Sequence, residues 1–145
     1  MRHGDAVAVA QNPERPLSLR GRQRVKQVGQ AALEQGMRIS RIYHSGILRA
    51  QETAALMSEY LNPPFKLAVL MGLAPEDDPM IARAELETAG EPILLVSHLP
   101  LLSRLAATLI HGDPERPVVE FLPGTLVCCH QSPERWKIAW RIAIE

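Results

Sequence analysis

The chain has 145 residues, 46% of them hydrophobic, with 16 Lys and Arg against 16 Asp and Glu. That length suits one domain with a single continuous core. The charge balance excludes a global pull toward nucleic acid or anionic lipid, so any anion site must be local. No apolar run reaches the ~20 residues of a membrane helix, and Met1-Arg2-His3-Gly4-Asp5 is unlike a signal peptide. A cytoplasmic protein is expected, with neither nucleic acid nor membrane as partner. Its only cysteines, Cys128 and Cys129, are adjacent and read as reduced core thiols.

In chain order, Val25, Val28, Ala32 and Leu33 recur at helical spacing, so Ser18 to Gln35 is predicted as an amphipathic surface helix stopped by Gly36. Ile39 to Ser45 reads as a strand, and Leu48 to Leu61 as a helix ending before Asn62-Pro63-Pro64. Phe65 to Leu70 is expected to be extended. Asp78-Pro79 supplies a cap and a first helical position for a helix toward Ala89, closed by Gly90. Ile93 to Val96 is a continuous apolar run of the kind buried on both faces of a parallel sheet, and it leads through Ser97-His98 into a helix from Pro100 to Ile110. Thr125 to His130 and Trp136 to Ile144 read as an antiparallel hairpin, Ile138, Trp140, Ile142 and Ile144 forming one apolar face of its second arm. This alternation predicts one α/β domain over residues 1–145, with helices on the faces of a mostly parallel sheet.

Three segments then fall just beyond strand ends, where such sheets present functional groups: Arg2-His3-Gly4, Ser45 to Arg49, and Ser97-His98. Two arginines and two histidines match a phosphoryl dianion in charge and hydrogen-bond geometry. The free amides around Leu99, at a helix start, would add to the attraction.

Together these segments resemble the histidine phosphatase superfamily, or phosphoglycerate mutase-like fold, and within it the bacterial phosphohistidine phosphatases. Arg2-His3-Gly4-Asp5-Ala6 is similar to the family's R-H-G nucleophile motif, and Arg15-Pro16-Leu17-Ser18 with Gly21 to an R-P-L-T/S-x-x-G segment. Ser45 to Thr53 resembles S-P-x-x-R-A-x-x-T, and Val96 to Pro100 resembles V-S/G-H-x-P. The resemblance spans nearly the whole chain, in the family's order.

It implies a three-layer α/β/α sandwich and a phosphohistidine intermediate on His3, with Arg2, Arg49 and His98 catalytic. Gly4, Arg15, Ser45 and Leu99 would bind substrate, and no metal or cofactor is called for. The positive charges of Arg2, Arg49 and His98 would keep His3 neutral for attack. Gly4 would leave the backbone uncluttered beside the phosphate. Glu76 and Asp77 are the candidates for an acid, although Asp78 is a helix cap and the phosphohistidine branch is thought to lack a well-placed acid. The implied substrate is phosphohistidine on a signalling phosphotransfer protein. A phosphomonoesterase of a small phosphorylated metabolite is the alternative, and a catalytically silent phosphoryl-binding module is a second. A metal site from His3, His44, His98 and His130 is disfavoured, because the arginines would repel a cation.

The sequence departs from the family in two places. The family begins with a buried central strand ending at R-H-G, whereas here only Met1 precedes Arg2, so the first strand is expected to be missing or truncated. Either the native chain starts upstream, or this chain is a fragment, or Ala6 to Ala10 supplies a replacement strand. Gly46 stands in place of a proline, which is expected to loosen the turn before Arg49.

Overall fold

The computed structural model describes Met1 to Glu145. Helix α1 (Leu19–Glu34) starts at Ser18, whose hydroxyl accepts the Gly21 N–H, and it buries Val25, Val28 and Ala32. Strand β1 (Arg41–His44) follows, then α2 (Leu48–Leu61), closed by Asn62 in the left-handed region. Strand β2 shrinks to Ala68–Val69, since only Tyr43 and His44 of β1 pair with it. Helix α3 (Pro79–Thr88) is capped by the Asp78 carboxylate, and β3 (Ile93–Val96) and α4 (Leu101–His111) follow as expected. The hairpin is β4 (Leu126–Gln131) with β5 (Trp136–Ile142), its register broken between Cys128 and Cys129.

Strands β2, β1 and β3 form a parallel sheet in that order. Side chains alternate along β3. Leu94 and Val96 join one core with α1 and α2, while Leu95 joins the other with Leu101, Leu102 and Leu105 of α4. Helices therefore cover both faces, which is the three-layer arrangement. No helix is long and apolar enough to cross a membrane.

Between β3 and the hairpin runs Met1–His3, parallel to β3. Met1 N donates to Leu95 O at 2.8 Å, Ser97 N to Met1 O and His3 N to Ser97 O, both at 3.0 Å. On the other side Arg2 N donates to Thr125 O and Gly124 N to His3 O, both at 3.0 Å. Three residues thus bridge the two sheets at the site end. Ala6 to Ala10 is not a replacement strand. Its residues fold outward, Ala6 bridging Leu17 and Val7 N bonding Pro16 O, and a turn at Ala8 to Asn12 follows. Short alanine side chains bring too little apolar area to hold a sheet centre.

Behind Met1, β3 and β4 have no strand partner on their facing edges. A cavity of about 400 Å³ lies there, lined by Leu94, Leu105, Ala106, Leu126, Cys129 and Trp140 among others. Both cysteines are free and half-buried, and burial pushes Cys129 up to about 11.

Candidate active site

His3 is buried, and its Nδ1 lies 2.7 Å from Gly4 O. A carbonyl only accepts, so Nδ1 carries the proton and Nε2 keeps its lone pair. Burial pushes His3 down to about 4. Its bond to the Gly4 carbonyl opposes this, and the charges of Arg49, Arg2 and Arg15 add to the lowering. The ring is therefore neutral at physiological pH, with the Nε2 lone pair free.

Gly4 is fixed from two sides. Its N–H donates to Thr53 Oγ1 at 3.0 Å, and that hydroxyl donates to Arg49 O at 2.8 Å. One threonine therefore ties the strand end to the first turn of α2, which carries Arg49. A Cβ on Gly4 would lie 2.7 Å from Val25 Cγ2 and 3.3 Å from Gly21 O. Close approach to α1 by itself demands the glycine.

Arg2 Nη1 donates to Phe121 O at 2.8 Å, yet its buried Nε has no partner. Arg49 Nε is likewise buried and unpartnered. Burial lowers both pKa values, Asp5 opposing the shift at Arg2 and Arg15 adding to it at Arg49. Arg15 stands in the left-handed region at φ 49°, a cost of roughly 1–3 kcal/mol that surrounding bonds must offset. They are its N–H to Asn12 O and its Nε to Val7 O, both at 3.0 Å. Its charge acts on both His3 and Arg49.

His98 is 1% exposed, its ring 5.0 Å from that of His3. Burial first, then His3, Arg49 and Arg2, hold it down to about 3. The expected extra positive charge is therefore absent, because His98 is a neutral imidazole. Its Nε2 meets Ser45 Oγ at 2.6 Å, and its buried Nδ1 has no partner. Ser45, expected among the substrate ligands, thus spends its hydroxyl on His98. Past His98, Pro100 has no N–H and that of Leu102 is taken by His98 O, leaving the amides of Leu99 and Leu101 without a backbone partner at the helix entry.

The turn before Arg49 is not simply loosened by Gly46. This residue has φ 88°, which proline cannot adopt, and its N–H donates to His44 Nδ1 at 3.0 Å. His44 is a turn-holding residue that sequence reasoning missed. Thr53 and Glu52 were missed as well, although both sit in the quoted motif. Glu52 Oε1 accepts Leu17 N–H at 2.8 Å and Oε2 pairs with Arg22 at 3.4 Å, pinning the Arg15 loop to α2. Glu76 is exposed, and Asp77 Oδ2 closes its own turn by accepting Ala74 N–H at 2.9 Å. Neither bonds the histidines or arginines of the site.

Chemically, the constellation offers a neutral imidazole nitrogen for attack and a shell of N–H donors with no acceptor of their own. An anion with several oxygens satisfies both.

Residues 1–72 match the family model described as histidine phosphatase superfamily, branch 1. Phosphohistidine phosphatase SixA of Escherichia coli strain K12 is 33% identical over 118 residues, covering 78% of this chain and 73% of that protein. Among solved structures, the protein histidine phosphatase SixA complexed with tungstate superposes with a TM-score of 0.86 at 30% identity, over 99% of this chain and 94% of that one. The alpha-ribazole phosphatase from Shigella flexneri shares the fold, with a TM-score of 0.72 at 18% identity over 95% and 92%.

Proposed function

The chain belongs to the histidine phosphatase superfamily and is a phosphatase, and from that premise we propose that it removes phosphate from phosphohistidine on a signalling protein in the cytoplasm. The observation that carries the reading is the set of buried side-chain nitrogens without a partner, Arg2 Nε, Arg49 Nε and His98 Nδ1, around an imidazole whose own Nδ1 is already committed. Buried donors left unsatisfied cost about 1–3 kcal/mol each, so an oxyanion that meets them binds with that much in its favour.

In the reaction His3 Nε2 attacks phosphorus in line with the bond to the leaving group. That bond breaks, the leaving group takes its electron pair and a proton from solvent, and the phosphoryl group rests on His3 Nε2. Water then attacks phosphorus, the P–N bond breaks with its electron pair returning to Nε2, and inorganic phosphate departs as the attacking water gives its proton to solvent. Arg2, Arg49 and Arg15 hold the equatorial oxygens through both steps, so positioning and charge carry the catalysis. His98 and the amides at Leu99 and Leu101 contribute neutral donors.

The nature of the leaving group supports the phosphohistidine assignment. Asp77 is engaged in its own turn and Glu76 is exposed, so an imidazole departing from a labile P–N bond suits this site better than an alkoxide, which needs an acid. SixA, one of the relatives, is named for phosphohistidine.

The test has two parts. Brief incubation with a phosphohistidine-bearing phosphotransfer domain, followed by denaturation in base, should trap an acid-labile phosphoenzyme on His3. A panel of the same domain, sugar phosphates and nitrophenyl phosphate should rank the domain first by kcat/KM. Preference for sugar phosphates would transfer the assignment to a small-metabolite phosphomonoesterase, and no phosphoenzyme at all would leave a silent phosphoryl-binding module.

A further inference from the structure

Resting on the phosphatase reading above, we infer that Ser45 is a positioning residue that sets the tautomer of His98. The argument is one of donors and acceptors. Ile47 N–H donates to Ser45 Oγ at 3.2 Å, which occupies one lone pair and fixes the rotamer. The hydroxyl keeps one proton and one lone pair, and 2.6 Å away stands His98 Nε2. Hydroxyl donors make the shorter bonds, centred on about 2.7–2.8 Å to oxygen, whereas N–H donors to oxygen centre on about 2.9–3.0 Å. The short separation therefore assigns the proton to Ser45, which donates to Nε2.

His98, neutral in this setting, must then carry its own proton on Nδ1, the buried nitrogen without a partner. With the opposite tautomer, His98 Nε2 and Ile47 N would both donate to the one hydroxyl, and the serine proton would have to turn away from the ring. The hydroxyl thus holds a neutral ring in the one state that offers an N–H to a phosphoryl oxygen or leaving group. Serine does so without adding charge, which preserves the neutral pair of imidazoles on which attack by His3 depends.

The experiment uses the full chain labelled with ¹⁵N-histidine. Ring nitrogen shifts of His98 are recorded at pH 7, with and without orthovanadate, in the wild type, Ser45→Ala and Ser45→Thr. The expected wild-type signature is a protonated Nδ1 and a bare Nε2, kept in Ser45→Thr and replaced by a tautomer mixture in Ser45→Ala. In turnover, Ser45→Ala should lower kcat about 10-fold with KM changed less than about 2-fold, and Ser45→Thr should recover most of the loss. A protonated Nε2 in the wild type overturns the inference. So does a Ser45→Ala protein with unaltered kcat and tautomer. If the tautomer signature behaves as described while no phosphoenzyme forms on the wild type, the hydrogen-bond assignment stands and the functional reading alone falls.

Discussion

The two ends of β3 are built by opposite means. At Ser97-His98 every neighbouring segment is tied by a named bond: His3 N to Ser97 O, Ser97 Oγ to Leu73 O at 2.6 Å, Ser45 Oγ to His98. Toward Ile93 the same strand has a partner on one side only, and its free edge faces β4 across the apolar cavity. The polar end owes its geometry to directional contacts that need no continuous sheet. The apolar end rests on side-chain packing around that cavity. Site geometry and apolar packing are therefore separable, and each can be perturbed without the other.

The largest effect comes from the polar end. His3→Asn should lower phosphatase kcat by at least about 1,000-fold and abolish the trapped phosphoenzyme, while the urea unfolding midpoint moves little. Loss of stability in step with activity would mean that the two ends are not separable.

Acid gives the next effect. His3 and His98 are both held below the usual histidine value, to about 4 and about 3, chiefly by burial. Between pH 6.5 and those values the unfolded chain binds protons that the folded chain refuses, so stability falls as pH drops through that window, by on the order of a few kcal/mol. Above pH 6.5 neither group contributes a slope. Urea midpoints at pH 7, 5.5 and 4.5 check this, and a flat profile would contradict the neutral pair.

Third, Thr53→Ala leaves the Gly4 N–H without its acceptor, which should cost about 1–3 kcal/mol. It should also loosen His3 relative to Arg49. Thr53→Ser should recover both the unfolding midpoint and kcat, since the hydroxyl and not the methyl makes the bond.

The smallest change sharpens the contrast from the other side. Ala106→Leu, on α4 facing the cavity, should raise stability by roughly 0.5–1 kcal/mol by filling space and leave kcat unaltered. Thermal unfolding and steady-state kinetics on one preparation decide it.

Much of this was legible in the sequence, and the reason differs by element. Helix α2 and strand β3 came out at their observed bounds, because Leu48 to Leu61 ends at an Asn-Pro-Pro stop and Ile93 to Val96 is an unbroken apolar run. His3, Arg49 and His98 were legible as motif residues at strand ends. The role of Met1–His3 was not, since three residues carry no periodicity and their placement rests on backbone bonds to partners more than 90 residues away. Thr53 with Gly4, and Ser45 with His98, are long-range side-chain pairs of the same kind. The neutrality of His98 depends on burial, which no local pattern announces. Gly46 misled because its positive φ and its bond to His44 exist only once the turn has folded.

The Glu52 clasp has a mechanical corollary. By gripping Leu17 and Arg22 from the turn that follows Arg49, it clasps the loop bearing one guanidinium to the helix bearing another. The span between Arg15 and Arg49 is thereby fixed by the chain itself, before any anion arrives to draw the two cations together.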